Sequence, residues 1–306
     1  MSRPRLSGYD GVMPETLTIP PRETWRTVRL GVVSFINTLP LIDGLEQLRD
    51  VTLHYSVPSL LIDMLLSEEV DVALCSSIDY QRSPQPLLIL PVGLLGCHGP
   101  TLTVRLYSTL PLERIKRIYC DTDSHTSVVL LQILLREQYG ISPELVDYDA
   151  REYVADNHPL EYPEAMLLIG DKVVTNSPPA VRYPHQLDLG EAWRELTGKP
   201  FVFALWMARH DADPASLRTA SIALDHQRRH NQERLDVIIH TRVRSGNWPV
   251  DLAKSYLSRR ITYQFDEAHL ASLELFFDKA QEHNLIERRR PVHIFGSSGN
   301  RAGGFD

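Results

Sequence analysis

The polar residues of this chain that could do chemistry stand in small groups, each just behind an apolar run. Ser34, Asn37 and Thr38 follow residues 28–33. Ser76 and Ser77 follow residues 70–75. Ser124, Thr126 and Ser127 follow residues 117–120, and Gly170 with Asp171 follows residues 165–169. Hydroxyls, a carboxamide and backbone laid open by a glycine are neutral donors and acceptors, suited to a ligand that brings its own charge. Where hydroxyls meet the free N–H groups of a starting helix, a carboxylate is well received. The same residues have a plainer use as helix caps, and a cap takes one side chain. Between residues 121 and 127 the hydroxyls outnumber that need, although Asp121 and Asp123 count against an anion unless they point away. Asp171 fits a ligand hydroxyl or a helix start equally.

Other chemical patterns are thin. His98 lies in a Gly/Pro loop and reads as a surface residue or an acid–base group. His226 and His230 are four apart, a metal-ligand spacing, but Gln227, Arg228 and Arg229 between them supply no carboxylate, so they read as a solvated helix face. No P-loop, dinucleotide fingerprint, G-x-S-x-G elbow or zinc spacing is present. The glycines near the C-terminus follow no strand–helix unit and read as a tail.

The elements that must position these groups alternate. Residues 28–33 are apolar and Val-rich, as in a strand buried on both faces. Pro40 suits the first turn of the helix that follows. Strand 51–55, helix 60–66 and strand 70–75 form a right-handed βαβ unit. Residues 87–95 contain Pro91 and Gly93 and read as an irregular or edge segment, and residues 101–107 alternate as a strand. A second series runs through strand 117–120, a helix ending near Gly140, and strands 145–148 and 165–169. Residues 187–198 read as one short helix stopped by Gly198, and residues 201–208 as the last strong strand. Helices over 214–236, 252–257 and 268–282 close the chain, the third capped by Asp266.

Ligands of open α/β sheets bind at the carboxyl ends of strands, where all four polar groups fall. The expected fold is therefore α/β and periplasmic-binding-protein-like (type II), two lobes with a two-strand hinge and a ligand cleft between them. Residues 1–26 read as a loosely ordered extension, 27–107 and 201–290 as the first lobe, 108–200 as the second and 291–306 as a tail. The hinge is expected near residues 105–108 and 203–206.

Composition limits the partners. With 306 residues, 43% hydrophobic and 23% charged, the chain is globular and long enough for two domains. A net charge of −7 argues against a nucleic-acid surface. Cys75, Cys97 and Cys120 lie in or beside apolar runs and read as buried thiols. No signal-peptide core and no run of 18 apolar residues is seen, which points to a cytoplasmic protein with no membrane partner.

At this point the residues carry a resemblance. The stretch from Arg29 to Leu41, Arg-Leu-Gly-Val-Val-Ser-Phe-Ile-Asn-Thr-Leu-Pro-Leu, resembles the opening motif of the MqnA family, the chorismate dehydratases of the futalosine route to menaquinone. So do Gly99-Pro100, the run Ser124 to Val128, the run Leu168 to Asp171, the run Asp188 to Trp193, and the run Thr197 to Trp206. The matches extend from about residue 28 to 290, in order. The resemblance implies loss of water from chorismate, giving 3-[(1-carboxyvinyl)oxy]benzoate, with no metal or organic cofactor. It assigns a key role to Asn37 and implicates a hydroxyl after the Gly-Pro turn. The nearest position is Thr103, which stands where the family has serine; Ser76 or Ser77 could supply that hydroxyl instead.

The chemistry is consistent with neutral residues. Chorismate is a dianion one dehydration short of aromatic, so the protein must mainly orient it and stabilise developing charge. A carboxamide is too poor a base to take the proton, which leaves the substrate's own side-chain carboxylate for that task, with Asn37 holding either that carboxylate or the leaving hydroxyl in place. Two other readings stay open: the dihydroxynaphthoate synthase of the same pathway, expected to use a histidine, and a cytoplasmic small-anion-binding protein without chemistry.

Overall fold

A computed structural model of the protein describes residues 27–150, 163–243 and 247–297. The expected extension over residues 1–26 lies outside them.

The apolar runs form two sheets. Strands β1 (Val28–Val33), β2 (Val51–Ser56), β3 (Val72–Ser76), β4 (Leu87–Cys97), β10 (Phe201–Arg209) and β11 (Ile261–Thr262) make the first, in the order β11-β4-β10-β3-β1-β2. Strands β5 (Val104–Ser108), β6 (Arg117–Asp121), β7 (Glu144–Tyr148), β8 (Ala165–Ile169) and β9 (His185–Asp188) make the second, in the order β7-β6-β8-β5-β9. The two share one pattern. In each, a three-strand parallel unit is followed by an antiparallel strand that has just arrived from the other lobe, β10 in the first sheet and β5 in the second.

That pattern corrects the expected hinge. Val104–Ser108 is paired along its length with β8 and β9, and Phe201–Arg209 with β3 and β4, so both strands lie wholly inside one sheet. The chain crosses between sheets just before each of them, at residues 98–103 and 198–200, and the first lobe ends ahead of Val104 instead of at residue 107. Asp188 secures the first crossing. One carboxylate oxygen accepts from Thr101 N at 2.9 Å and from Gly190 N at 3.1 Å; the other accepts from Leu102 N at 2.7 Å. A single side chain thus caps the Leu189–Thr197 helix and pins the crossing loop. Residues 187 and 188, expected within that helix, belong to strand β9.

The segment containing Pro91 is irregular, the first of the two expected readings, and it lies inside the sheet instead of at its edge. β4 lies between β11 and β10, and the register of β4 against β10 jumps between Leu205 and Met207. That irregularity takes up Pro91, whose side is exposed and whose missing N–H would otherwise break the ladder. The tail also begins later than expected. Phe295 N donates to Ile89 O at 2.8 Å, and Ile89 N to His293 O at 2.9 Å, so these residues extend the β4 side of the first sheet.

Both faces of the first sheet are covered, which is why its strands read as continuous apolar runs. Along β10, Phe201, Leu205 and Met207 enter one core; Ala204, Trp206 and Ala208 enter the other. Trp193, fully buried, donates to Pro200 O at 3.1 Å, and its ring meets Phe201 at 5.2 Å and Phe276 at 6.1 Å. The second crossing is therefore packed between the Leu189–Thr197 and Glu267–Glu282 helices.

Candidate active site

The strand ends face a cleft enclosing about 600 Å3 of empty space, its open mouth included. Asn37, Ser76, Thr103, Ser124, Ser127 and Gly170 line it, with Thr101 and Tyr256 as further polar walls and Phe35, Pro58 and Phe203 as apolar ones. Both lobes contribute.

Asn37 sits in the Ile36–Thr38 turn that follows β1, and its Oδ1 is buried without a hydrogen-bond partner. Opposite it, Thr103 Oγ1 stands 2.7 Å from the Tyr256 hydroxyl. Burial raises the Tyr256 pKa, partly offset by the Thr103 and Asn37 side chains, so the phenol stays protonated. Asn37, Thr103 and Tyr256 therefore form one uncharged cluster. Tyr256 opens a π-helical turn, Tyr256–Arg260, far along the chain and in a stretch with no cap or strand signal. Sequence reasoning did not find it.

Ser124 caps the His125–Tyr139 helix, accepting from Ser127 N at 3.2 Å and donating to Ser127 Oγ at 2.9 Å. The first turn of that helix keeps N–H groups with no partner within the helix, beside the cleft. Asp121 and Asp123 do not oppose an anion there. Lys172 Nζ lies 2.6 Å from Asp121 Oδ2 and 2.8 Å from Asp123 Oδ2, and neither carboxylate lines the cleft.

Thr38, Ser77, Thr126 and Asp171, also expected at the site, have partners within the protein. Thr38 is fully buried and donates to Val33 O and Phe35 O. Ser34 is exposed and off the cleft wall. Ser77 Oγ donates to Val202 O at 2.8 Å and meets Thr126 Oγ1 at 3.2 Å, while Thr126 Oγ1 accepts from Ile78 N at 3.2 Å. Next to them His125 Nδ1 is 2.7 Å from Asp79 Oδ1. These contacts join the end of β3 in the first lobe to a helix start in the second, so the hydroxyls of Ser77 and Thr126 bind lobe to lobe. Asp171 spans the other side of the cleft, accepting from Ile36 N at 3.2 Å. Gly170 needs to be glycine: its φ is +73°, and a Cβ there would stand 2.9 Å from the Phe35 ring.

Other side chains fall away from the cleft. Arg105 pairs with Asp188 and Gln186, and His98 is exposed. His226 and His230 are exposed, and no group of metal-ligating side chains occurs among the described residues. The three cysteines are free and buried, and burial raises each thiol, Cys120 to about 12. No described helix is long and apolar enough to cross a membrane.

Paired sheets of one topology with a cleft between their strand ends are the architecture of the periplasmic binding proteins. The chain belongs to the menaquinone biosynthesis family, whose model matches residues 28–282. It is 32% identical over 199 residues to the chorismate dehydratase of Thermus thermophilus, a match covering 60% of this chain and 71% of the relative. Among solved structures it is similar to protein AF1704 of Archaeoglobus fulgidus, with a TM-score of 0.69 and 17% identity over 85% of this chain and 98% of that one. A Candida albicans protein described as having the generic periplasmic binding protein fold gives a TM-score of 0.62 at 13% identity, covering 86% of this chain and 92% of its own. The alkanesulfonate-binding protein SsuA of Xanthomonas axonopodis gives 0.58 at 14% identity, covering 86% and 94%.

Proposed function

We propose that this protein is a chorismate dehydratase, a hydro-lyase acting in menaquinone biosynthesis. The observation that carries the reading is the Asn37 Oδ1, buried at the cleft wall with no partner of its own. A buried acceptor left unsatisfied costs about 1–3 kcal/mol, and a bound ligand donor removes that cost. The Thermus relative, 32% identical, is named for the same reaction.

The cleft suits a reaction whose base is supplied by the substrate. Among the described lining residues only Tyr256 is titratable, and it is held protonated. None is a histidine, the residue expected of the dihydroxynaphthoate synthase. In chorismate the proton on the ring carbon bearing the enol ether passes to the substrate's side-chain carboxylate. The electron pair of that C–H bond becomes the new ring double bond, the C–O bond to the neighbouring hydroxyl breaks, and the hydroxyl departs as water with the proton that the side-chain carboxyl has just taken up. Aromatisation drives the step. Asn37 and the Thr103–Tyr256 pair hold the departing hydroxyl or the side-chain carboxylate, and the helix start at Ser124 receives the other carboxylate. Thr103 keeps the hydroxyl of the family's serine, and its bond to Tyr256 fixes where that hydroxyl lies.

The test is to incubate the protein with chorismate and follow the acid by mass spectrometry. Loss of one water to give the enolpyruvyl benzoate supports the assignment; chorismate recovered unchanged overturns it.

A further inference from the structure

Asp171 is the only carboxylate that reaches from the second lobe to the turn carrying Asn37 among the described contacts. It follows β8, next to Gly170 of the cleft wall and not itself part of that wall. Its two oxygens lie 3.2 and 3.4 Å from Ile36 N, the amide directly before Asn37. The contact is backed on both sides. Gly170 packs so closely on Phe35 that no side chain fits between them, and Gly170 N donates to Thr103 O at 2.9 Å. Gly170 and Asp171 together therefore touch Phe35, Ile36 and Thr103, bracketing two of the groups placed at the reacting centre.

We propose that Asp171 is a positioning residue for Asn37: by accepting the Ile36 N–H across the cleft, it makes closure of the lobes and alignment of the carboxamide one event. The inference rests on the functional reading above and deepens it. A carboxamide that must meet a developing charge is useful only in a narrow range of positions, and a displacement of about 1 Å can lower a rate a hundredfold. The turn that carries it is a short 3-10 segment, tied within its own lobe through Thr38 Oγ1 to Val33 O and Phe35 O. The acceptor from the opposite lobe adds a constraint on the Ile36 side of Asn37 only when that lobe is in place.

The charges around Asp171 leave it free for this use. Lys172, next in the chain, is engaged by Asp121 and Asp123. From the first lobe the Ile36 amide, the Trp248 side chain and, electrostatically, the Tyr256 phenol face it, and no cation does. Burial lifts its pKa to about 6, with Ile36 N and Trp248 opposing the rise. Protonation weakens the acceptor, so the hold on Ile36 slackens as pH falls through about 6.

The experiment compares wild type, Asp171→Ala and Asp171→Asn. Hydrogen exchange of the peptide containing Ile36, measured without ligand, reads the contact itself. Steady-state kinetics with chorismate across pH, normalised to folded protein, read its use. In Asp171→Ala the Ile36 amide is expected to exchange faster and kcat to fall about tenfold to a hundredfold with KM changed less than threefold. Asp171→Asn, a neutral acceptor like the protonated carboxyl, is expected to hold kcat near the wild type's lower, acid-side level at every pH and so to lose the acid limb near pH 6. Unchanged exchange at Ile36 overturns the proposal, and so does faster exchange with unchanged kcat, or an acid limb that survives in Asp171→Asn. If wild type itself leaves chorismate untouched, the functional reading falls, and the exchange result alone decides whether Asp171 holds the turn.

Discussion

Thr103 Oγ1 and the Tyr256 hydroxyl lie 2.7 Å apart, a contact between the crossing into the second lobe and a turn near the end of the chain. Both residues are almost wholly covered, at 2% and 1% exposure, so each relies largely on the other as its partner. Tyr256→Phe should leave Thr103 short of a bond and destabilise the protein by about 1–3 kcal/mol. Thr103→Ser should keep the contact and most of the activity, whereas Thr103→Val should resemble Tyr256→Phe. Urea denaturation and turnover of chorismate check the series. Equal behaviour of the Ser and Val variants would show that the hydroxyl has no role.

Asn37 is the most exacting position. If its carboxamide acts on charge that develops during the reaction, Asn37→Ala should lower kcat by about 10²–10³-fold and move KM only a few-fold. Steady-state kinetics decide. A variant that turns over at the native rate would remove Asn37 from the mechanism.

Gly190 is a packing prediction independent of function. A Cβ there would stand 2.5 Å from Cys97 Sγ and 2.6 Å from both Gly99 O and Thr101 Cγ2. Gly99 O is backbone of the crossing loop and cannot swing aside. Gly190→Ala should therefore destabilise by about 1–3 kcal/mol, read as a lowered midpoint in thermal or urea denaturation. A midpoint matching wild type would show that the loop yields freely.

The His125–Asp79 pair predicts how stability responds to pH. Its bond to Asp79 raises the His125 pKa, and burial raises that of Asp79, with Arg82 and Asp63 as the other charges that act on both. Each group thus binds its proton more tightly folded than unfolded. The folded state holds more protons, so stability falls as pH rises. The His125 contribution is complete below about pH 6.5 and is lost as pH passes through its raised folded value. His125→Gln should flatten the fall in urea midpoint between about pH 5.5 and about pH 8.5. An unchanged slope would assign the effect elsewhere.

Much of this could be read from residue order alone. Val28–Val33 announces a buried strand, and Asn37 behind it lies where open sheets bind ligands. Ser124 and Asp266 announce helices and do cap them. Pro91 and Gly93 mark an irregular segment, and the β4–β10 register does jump there; that the segment lies inside the sheet is not legible from them. Ser77, Thr126 and Asp171 have partners in the facing lobe that residue order does not reveal. A hydroxyl or carboxylate that binds the facing lobe has the same type and the same local setting as one that binds a ligand. Only the three-dimensional partner separates them. Tyr256 is silent because its role depends on Thr103, 153 positions away.

The place of β10 has a consequence for synthesis. It fills the gap between β3 and β4, yet roughly a hundred residues separate its start from the end of β4. On the ribosome these take on the order of ten seconds to emerge. During that interval β3 and β4 present unpaired, apolar edges to other nascent chains. The inserted lobe is contiguous, so it is the first unit to become resistant to protease. A chain arrested before Phe201 is the species that chaperones must guard.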